Sequence, residues 1–298
     1  MSDLTLSVVV PAYNEAEDIR SCLENLLTQT RPVDEIVVAD NNSTDETVLI
    51  VEEIALRDER VRLLRVEEQG VINARSAGLD AATGDVLARI DADSHVPPGW
   101  AESVIHFFAQ HGKHYGAATG LCSCHDLPFQ DRFSGTKRRL TENARAALAG
   151  GDRRGADATR LFGSNMAITR DAWNKVRQSR SHRTDIFEDL DLTLTLHEEG
   201  VPMGLMPDAE ATISGRRYLS SPTSYLRYCL RDQRTFALHG RPTERGQAIA
   251  QMLLVALPFY FVMWIPFRTY DPDNHEFSVR RLLRRRQDRP APGGPASG

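Results

Sequence analysis

A chain of 298 residues with 41% hydrophobic and 26% charged content can bury a full globular core, as one large domain or two small ones. A formal net charge of −5, with no basic stripe in the first 200 residues, argues against a nucleic-acid binder. Four cysteines, Cys22, Cys122, Cys124 and Cys229, fit no disulfide framework, and Cys122-Ser-Cys124 is too tight for zinc-ligand spacing, so a reducing, cytoplasmic setting is expected.

The opening MSDLTLSVVVP carries no basic segment ahead of its apolar run, so no signal peptide is expected. Leu6–Val10 is a continuous β-branched run ending at Pro11, the pattern of a strand buried on both faces. Asn14 offers a helix cap with Glu17 three residues on, and Ile19, Leu23, Leu26 and Leu27 recur at helical spacing. Ile36–Ala39 predicts a second strand, with Asn41-Asn42-Ser43-Thr44 as turn and cap before a helix through Val48, Val51, Ile54 and Ala55. Val61–Val66 and Val86–Ile90 read as further strands, with Val71–Ala82 as the helix between them.

After Gly99 the pattern loosens. Ser103–Phe108 is helical in spacing, Tyr115–Cys124 strand-like, and Gln130–Leu148 an Arg- and Ala-rich insert, helical or mobile. Phe162–Thr169 predicts a short strand entering Asp171–Val176, Glu188–Glu199 a helix and Pro202–Met206 a strand. Alternating strands and helices at this cadence imply an α/β fold with a mostly parallel central sheet. Ligands in such sheets bind beyond the carboxyl ends of the strands, which gathers Pro11–Glu15, Asp40–Asn42 and Asp91–Asp93 on one rim.

Asp91-Ala92-Asp93 follows the strand Val86–Ile90 directly. On extended backbone the two carboxylates would face opposite ways, so both reach one ligand only through a turn. Hard Mg²⁺ or Mn²⁺ takes one or two carboxylates with phosphate oxygens and water, which suits a nucleotide diphosphate. Ser214-Gly215-Arg216-Arg217 is a second candidate: its arginines either grip a diphosphate or phosphorylated acceptor, or stand in a solvated turn.

Taken in order, VVVPAYNEAEDI (Val8–Ile19), VVADNNSTDET (Val37–Thr47), GVINARSAGL (Gly70–Leu79), ARIDADSHVPPGW (Ala88–Trp100), FGSNMAITRDAW (Phe162–Trp173) and DIFEDLDL (Asp185–Leu192) resemble the family 2 glycosyltransferases, inverting enzymes of the GT-A fold, over about residues 6–206. The resemblance implies a Rossmann-like GT-A domain that binds a nucleotide sugar. It assigns Pro11, Ala12, Tyr13 and Glu15 to the first nucleotide loop and Asp40 to the base. Asp40-Asn41-Asn42 stands where members often have Asp-Asp-Gly, so the base and ribose contacts of Asp40 and Asn42 depart from the pattern. Arg75 matches an Ala-Arg pair that steadies the nucleotide; the other reading is a surface salt bridge. Asp91, Ala92 and Asp93 match the metal motif, with Asp93 and Asp91 as ligands of Mn²⁺ or Mg²⁺. Gly163, Ser164 and Asn165 match the stretch lining the sugar pocket.

Asp189 matches the family's general base, with Glu188 and Asp191 in support. The competing reading is that these acids merely favour a helix N-terminus. The Gln-x-x-Arg-Trp motif of processive members is missing from Arg231-Asp232-Gln233-Arg234-Thr235-Phe236, so single-sugar transfer is expected. A sugar-phosphate nucleotidyltransferase would want glycine and a basic residue after the first strand, and a non-catalytic nucleotide-sugar scaffold would be expected to lack Asp91, Asp93 or Asp189.

The expected organisation is a GT-A domain over 1–215, a helical extension over 216–288 and a disordered Pro/Gly tail over 289–298. Met252–Ile265 is a fourteen-residue apolar run interrupted by Pro258, roughly 21 Å long as a helix. It reads as a core helix or as an interfacial or re-entrant one, and the arginines from Arg268 and within Val279–Arg289 favour peripheral contact with the inner face of a cytoplasmic membrane, in cell-envelope synthesis. The acceptor is then a glycan, a lipid-linked sugar or a small molecule.

Overall fold

The computed structural model of the chain describes residues 4–151, 153–272 and 274–283. The basic stretch beyond Leu283 and the Pro/Gly tail lie outside them. The apolar runs become strands β1 (Leu6–Ala12), β2 (Glu35–Asp40), β3 (Val61–Arg65) and β4 (Val86–Ile90), separated by helices α1 (Ile19–Leu27), α2 (Thr47–Ala55) and α3 (Val71–Ala81). Then come α4 (Trp100–His111), β5 (Ala117–Cys124), α5 (Gln130–Gly150), β6 (Asn165–Thr169), α6 (Arg170–Val176), α7 (Glu188–Glu198) and β7 (Met203–Ile213). The strands form one seven-stranded sheet in the order β3-β2-β1-β4-β6-β5-β7. All its pairings are parallel except those of β6 with β4 and β5.

Because β1 and β4 are central, both their faces are covered, and every residue of β4 is buried. On one face Val8, Val10 and Ile36 meet Ile19, Leu23 and Leu26 of α1, and Trp100 and Val104 of α4. On the other, Val9, Val37 and Leu87 meet Leu79 of α3, Trp173 of α6 and Leu192 and Leu196 of α7. The mostly parallel, helix-flanked sheet expected of the GT-A fold is present.

Two local expectations change, and one left open is resolved. Asn14 does not cap α1, which begins at Ile19; it takes a left-handed conformation (φ 54°) and its Oδ1 accepts from the Thr44 amide at 2.8 Å. That contact ties the loop after β1 to the loop after β2, so asparagine serves the turn rather than the helix. Gln130–Gly150 is a helix of 21 residues. The last strand is more than twice the predicted length, because past a bulge opposite Gly120 it pairs again, Cys122 to Ala211 and Cys124 to Ile213. A Cβ on Gly120 would stand 1.8 Å from the Ala209 carbonyl oxygen, so only glycine permits the bulge. The extension also bonds both ways to the turn after β4, His95 N to Thr212 O at 2.8 Å and Thr212 N to His95 O at 2.9 Å.

Beyond β7 the chain enters α8 (Pro222–Leu238), whose cap Ser221 accepts from the Ser224 amide. Then α9 (Pro242–Gln251), a π-helical turn (Met252–Ala256) and α10 (Leu257–Val262) run on as one helix, and α11 (Trp264–Thr269) follows. Pro258 does not end the helix. The wider π turn ahead of it absorbs the missing amide, as proline otherwise kinks or stops an α-helix. The continuous run Pro242–Val262 has 21 residues, long and apolar enough by length and composition to cross a membrane. It is thus longer than the apolar residues alone indicate, because the polar α9 extends it. One side packs through Met252 and Tyr260 on Tyr225 and Cys229 of α8, with Tyr225 and Tyr260 stacked at 4.2 Å.

Glu35 fastens the base of the sheet. Its carboxylate accepts from Ser7 Oγ on β1, from Arg62 Nε on β3 at 2.8 Å and from the Thr83 amide at 2.7 Å. Burial alone would raise its pKa; these bonds outweigh that and hold it below the ordinary carboxylate value. A carboxyl lowered by folding stabilises above its unfolded pKa and stops doing so as pH falls through the folded value. Glu35→Gln should therefore lose about 1 kcal/mol in urea unfolding at pH 7, and the gap from wild type should close towards pH 3.

Candidate active site

The carboxyl ends of the strands open into one cavity of about 630 Å³, reaching from the loop after β1 to the C-terminal helices. Pro11, Ala12, Tyr13 and Glu15 line it from β1, Asp91, Ala92 and Asp93 from β4, Arg75 from α3, Gly163 and Ser164 from the turn before β6, and Glu188 and Asp189 from the first turn of α7. Arg216 and Arg217 enter on the segment delivered by the long β7. Asp40, Asn42 and Asn165 do not line it. Asn42 is exposed and donates to the Glu67 carbonyl at 2.8 Å. Asn165 is fully buried, accepting from Trp100 Nε1 at 3.0 Å and donating to the Ala209 carbonyl at 2.8 Å. Asp40 is buried with Oδ1 lacking a hydrogen-bond partner.

Two arginines organise the floor of the cavity. Arg89 sits in β4, fully buried, and donates through Nε to the Gly163 carbonyl at 2.7 Å and through a terminal nitrogen to Asp189 Oδ1. Arg75 donates to Asp91 at 2.6 Å, to Asp189 at 3.3 Å and to Glu188. The second oxygen of Asp189 accepts the Gly163 amide at 3.0 Å. Asp189 is thus fixed from three sides. Burial would raise its pKa, but Arg89 and Arg75 outweigh burial and keep it below the usual carboxylate range. For Arg89, burial and then the facing Arg75 bring the pKa down to about 10. It stays charged at neutral pH. Arg75 is therefore the hub of a buried carboxylate cluster rather than a surface ion pair.

Asp191 is elsewhere. It faces away from the cavity, 3.1 Å from His239 Nε2 and 3.6 Å from Arg180 Nε, so it braces α7 instead of supporting Asp189.

At the other end, the turn after β4 closes through the Ser94 amide on the Asp91 carbonyl at 3.0 Å, and both aspartates reach the cavity. Asp91 meets Arg75; Asp93 lies 3.1 Å from Arg216 Nε. Arg216 also grips Glu15 with both terminal nitrogens, at 2.6 and 3.0 Å. Burial lifts the Asp93 pKa to about 7, with Asp91 and Glu15 pushing the same way against Arg216. A crowded Asp93 that resists ionisation calls for another cation, and two carboxylates open to a cavity match what Mg²⁺ or Mn²⁺ takes from a protein when phosphate oxygens and water complete the shell. The described residues contain no group of three or more His, Cys, Asp or Glu arranged to hold an ion unaided.

Several residues of the cavity wall or buried behind it escaped sequence reasoning. Arg89 had a signal, a charge inside the apolar run Val86–Ile90. Arg160, Tyr225, Tyr228, Arg231 and Asp232 had none, since only the fold brings α8 over the cavity. Arg216 and Arg217, adjacent in sequence, part company: Arg217 lies over the Tyr228 ring, 4.3 Å from its centroid.

The fold is shared with a mannosyltransferase from Pyrobaculum calidifontis solved with GDP-Man and Mn²⁺ (TM-score 0.60, 20% identity, 95% of this chain and 79% of that one). It is shared too with residues 1–349 of TarS from S. aureus, solved with UDP-GlcNAc (TM-score 0.53, 16% identity, 74% and 61%). The pattern of glycosyl transferase family 2 matches residues 7–176, more than half of the chain, and the chain belongs to that family. Among its relatives, the uncharacterized glycosyltransferase YibD of Escherichia coli K12 is 40% identical over 100 residues, 34% of this chain and 29% of that protein. The putative glycosyltransferase EpsH of Bacillus subtilis is 35% identical over 105 residues, 35% and 30%. Each match spans less than a third of the relative's length.

Gly163 is the residue on which the floor is most exacting. A Cβ there would lie 1.9 Å from the Arg89 guanidinium and 2.1 Å from Asp189 Oδ1. Gly163→Ala should push Asp189 out of place and cost about 1–3 kcal/mol in urea unfolding, the scale of an overpacked interior. Calorimetry should find nucleotide affinity nearly unchanged, since the loop after β1 is untouched.

Proposed function

We propose that the chain transfers a single sugar, with inversion, from a nucleoside diphosphate sugar to an acceptor hydroxyl, with Asp189 as general base. The observation that carries this is one cavity holding Asp91 and Asp93 at one part and, at another, a carboxylate locked by Arg89, Arg75 and the Gly163 amide. Inversion by direct displacement needs a base on the acceptor side and charge stabilisation on the leaving-group side. Asp189, ionised at neutral pH, accepts the acceptor's proton as its oxygen attacks the anomeric carbon. Glu188 holds Arg75 in place, and Arg75 keeps Asp91 and Asp189 in register. Pro11, Ala12, Tyr13 and Glu15 seat the nucleotide.

Asp93 and Asp91 would hold Mn²⁺ or Mg²⁺, which neutralises the departing diphosphate. The donor class and the ion draw support from the GDP-Man, UDP-GlcNAc and Mn²⁺ of the fold neighbours. Arg216 adds a second positive charge to the same end.

We further place the acceptor at a membrane face, as a lipid-linked or membrane-proximal substrate on the cytoplasmic side. Leu253, Leu254, Val255, Phe261, Val262 and Ile265 are all more than half exposed on the C-terminal helices. Ala248, Gln251, Met252 and Ala256 of the same run line the cavity. A helix with one side at the site and an apolar side outward can rest in an interface while it shapes the acceptor entrance.

Titration calorimetry with nucleoside diphosphates should give binding that requires Mn²⁺ or Mg²⁺. Asp93→Ala should abolish that metal dependence. Asp189→Asn should bind as wild type yet lose transfer at least a hundredfold. Binding indifferent to metal, or transfer surviving in Asp189→Asn, overturns these roles. Cosedimentation with phospholipid vesicles should be lost in the doubly substituted Leu254→Asp/Val262→Asp protein, and wild type that never sediments removes the membrane.

A further inference from the structure

The part of the cavity beneath α8 carries more positive charge than its own residues neutralise. Arg160, Arg217 and Arg231 all line it. Arg160 pairs with Asp232 at 3.0 Å. Arg217 and Arg231 have no carboxylate within ion-pair distance among the described residues, and their side chains make no hydrogen bond there; Arg217 rests only on the Tyr228 ring. Glu188, Asp189 and Asp91 already share Arg75 and Arg89. Three guanidinium groups against the one carboxylate of Asp232 leave two positive charges facing the cavity.

Such an excess is costly to assemble without a counter-charge. Burial, followed by repulsion from Arg217, pulls the Arg231 pKa below its ordinary value. Burial raises the Tyr228 pKa against the pull of Arg217 and Arg160, so its hydroxyl remains a neutral donor beside them. Arginine forks and a phenol are the donor set that grips phosphate oxygens. A phosphate monoester carries about −1.5 to −2 charges at neutral pH, which matches the excess; a lone carboxylate would leave half of it standing.

We infer that Arg217 and Arg231 form an acceptor subsite for a phosphate group, so that the hydroxyl acceptor is itself a phosphorylated molecule. The inference rests on the proposed transferase reading and adds the acceptor's chemical class. The donor diphosphate belongs with Arg216, Asp91 and Asp93; Arg216 is turned towards Glu15 and Asp93, while its neighbour Arg217 is turned to α8. The phosphate would thus sit between Asp189 and the helix that exposes Leu254 and Val262. A lipid phosphate and a soluble sugar or polyol phosphate present the same group there.

The test uses the full chain and glycerol 3-phosphate as probe, titrated calorimetrically with and without a saturating nucleoside diphosphate and Mg²⁺. Wild type should bind the probe alongside the nucleotide. Arg217→Met/Arg231→Met should bind it at least about tenfold more weakly, the loss of a charged hydrogen bond, with nucleotide affinity unchanged as evidence of a folded donor site. Arg231→Lys, which keeps the charge, should fall between. Phosphatidylcholine vesicles with and without farnesyl phosphate separate the sources. Recruitment that needs both arginines assigns a lipid phosphate; probe binding without recruitment assigns a soluble one.

The inference is overturned if wild type binds neither probe nor farnesyl phosphate, if the double variant binds them undiminished, or if it loses nucleotide in parallel, which would return the arginines to the donor. Wild type that binds no nucleotide under any metal condition sinks the donor reading instead, and the titration without nucleotide still reports on the arginines.

Discussion

A guanidinium sealed inside a parallel sheet must find its counter-charge inside the protein, and in this chain that requirement shapes the floor of the cavity. Arg89 projects from β4, with no surface exposure, onto Asp189 and the Gly163 carbonyl. Removing either partner would leave a buried charge without compensation, which costs far more than the pair contributes when intact. The constraint therefore fixes three separate pieces of chain at one point: the end of β4, the turn before β6 and the first turn of α7. Arg75 extends the arrangement to Asp91. The proposed base and the proposed metal motif are thereby held in one rigid network, the kind of preorganisation that charge-stabilising sites need.

A second constraint comes from the sheet's far edge. The bulge opposite Gly120 lets β7 continue past its first pairing, bond to the turn after β4 at His95 and carry the chain on to Arg216 and Arg217. The long strand thus does two things. It braces the loop that presents Asp91 and Asp93, and it sends one arginine to each part of the cavity. The helices that follow roof the far part of the cavity through Tyr225, Tyr228 and Met252 while leaving an apolar face outward. A boundary drawn at residue 215 would separate these two halves of one cavity.

Much of the fold was legible in the chain itself. The apolar runs ending at Pro11, Asp40 and Asp91 gave strands, their order and the rim, because a central parallel strand must be apolar on both faces and its ligands must lie at its carboxyl end. Fourteen of the candidate site residues line the cavity, those at the ends of β1 and β4 for that reason and most of the others where the family resemblance put them. Asp40, Asn42 and Asn165 do not: Asp40 is buried, and an asparagine's amide serves a backbone carbonyl as readily as a ligand, so that Asn42 ties to Glu67 and Asn165 bolts Trp100 to the Ala209 carbonyl. Asp191, two residues from Asp189, turns about 200° around α7 and meets His239 instead.

The sequence by itself thus determined the strands, the rim and its acids Glu15, Asp91 and Asp93, which follow from local periodicity and strand chemistry, while Glu188 and Asp189 came from the family resemblance. Only the tertiary structure decided which charges neutralise each other. Arg75 is paired across more than a hundred residues with Glu188, Arg216 across some two hundred with Glu15, and Arg217 and Arg231 are left facing the cavity. Electrostatic partnership depends on distance in space and on burial, and neither is written in the spacing of residues along a chain.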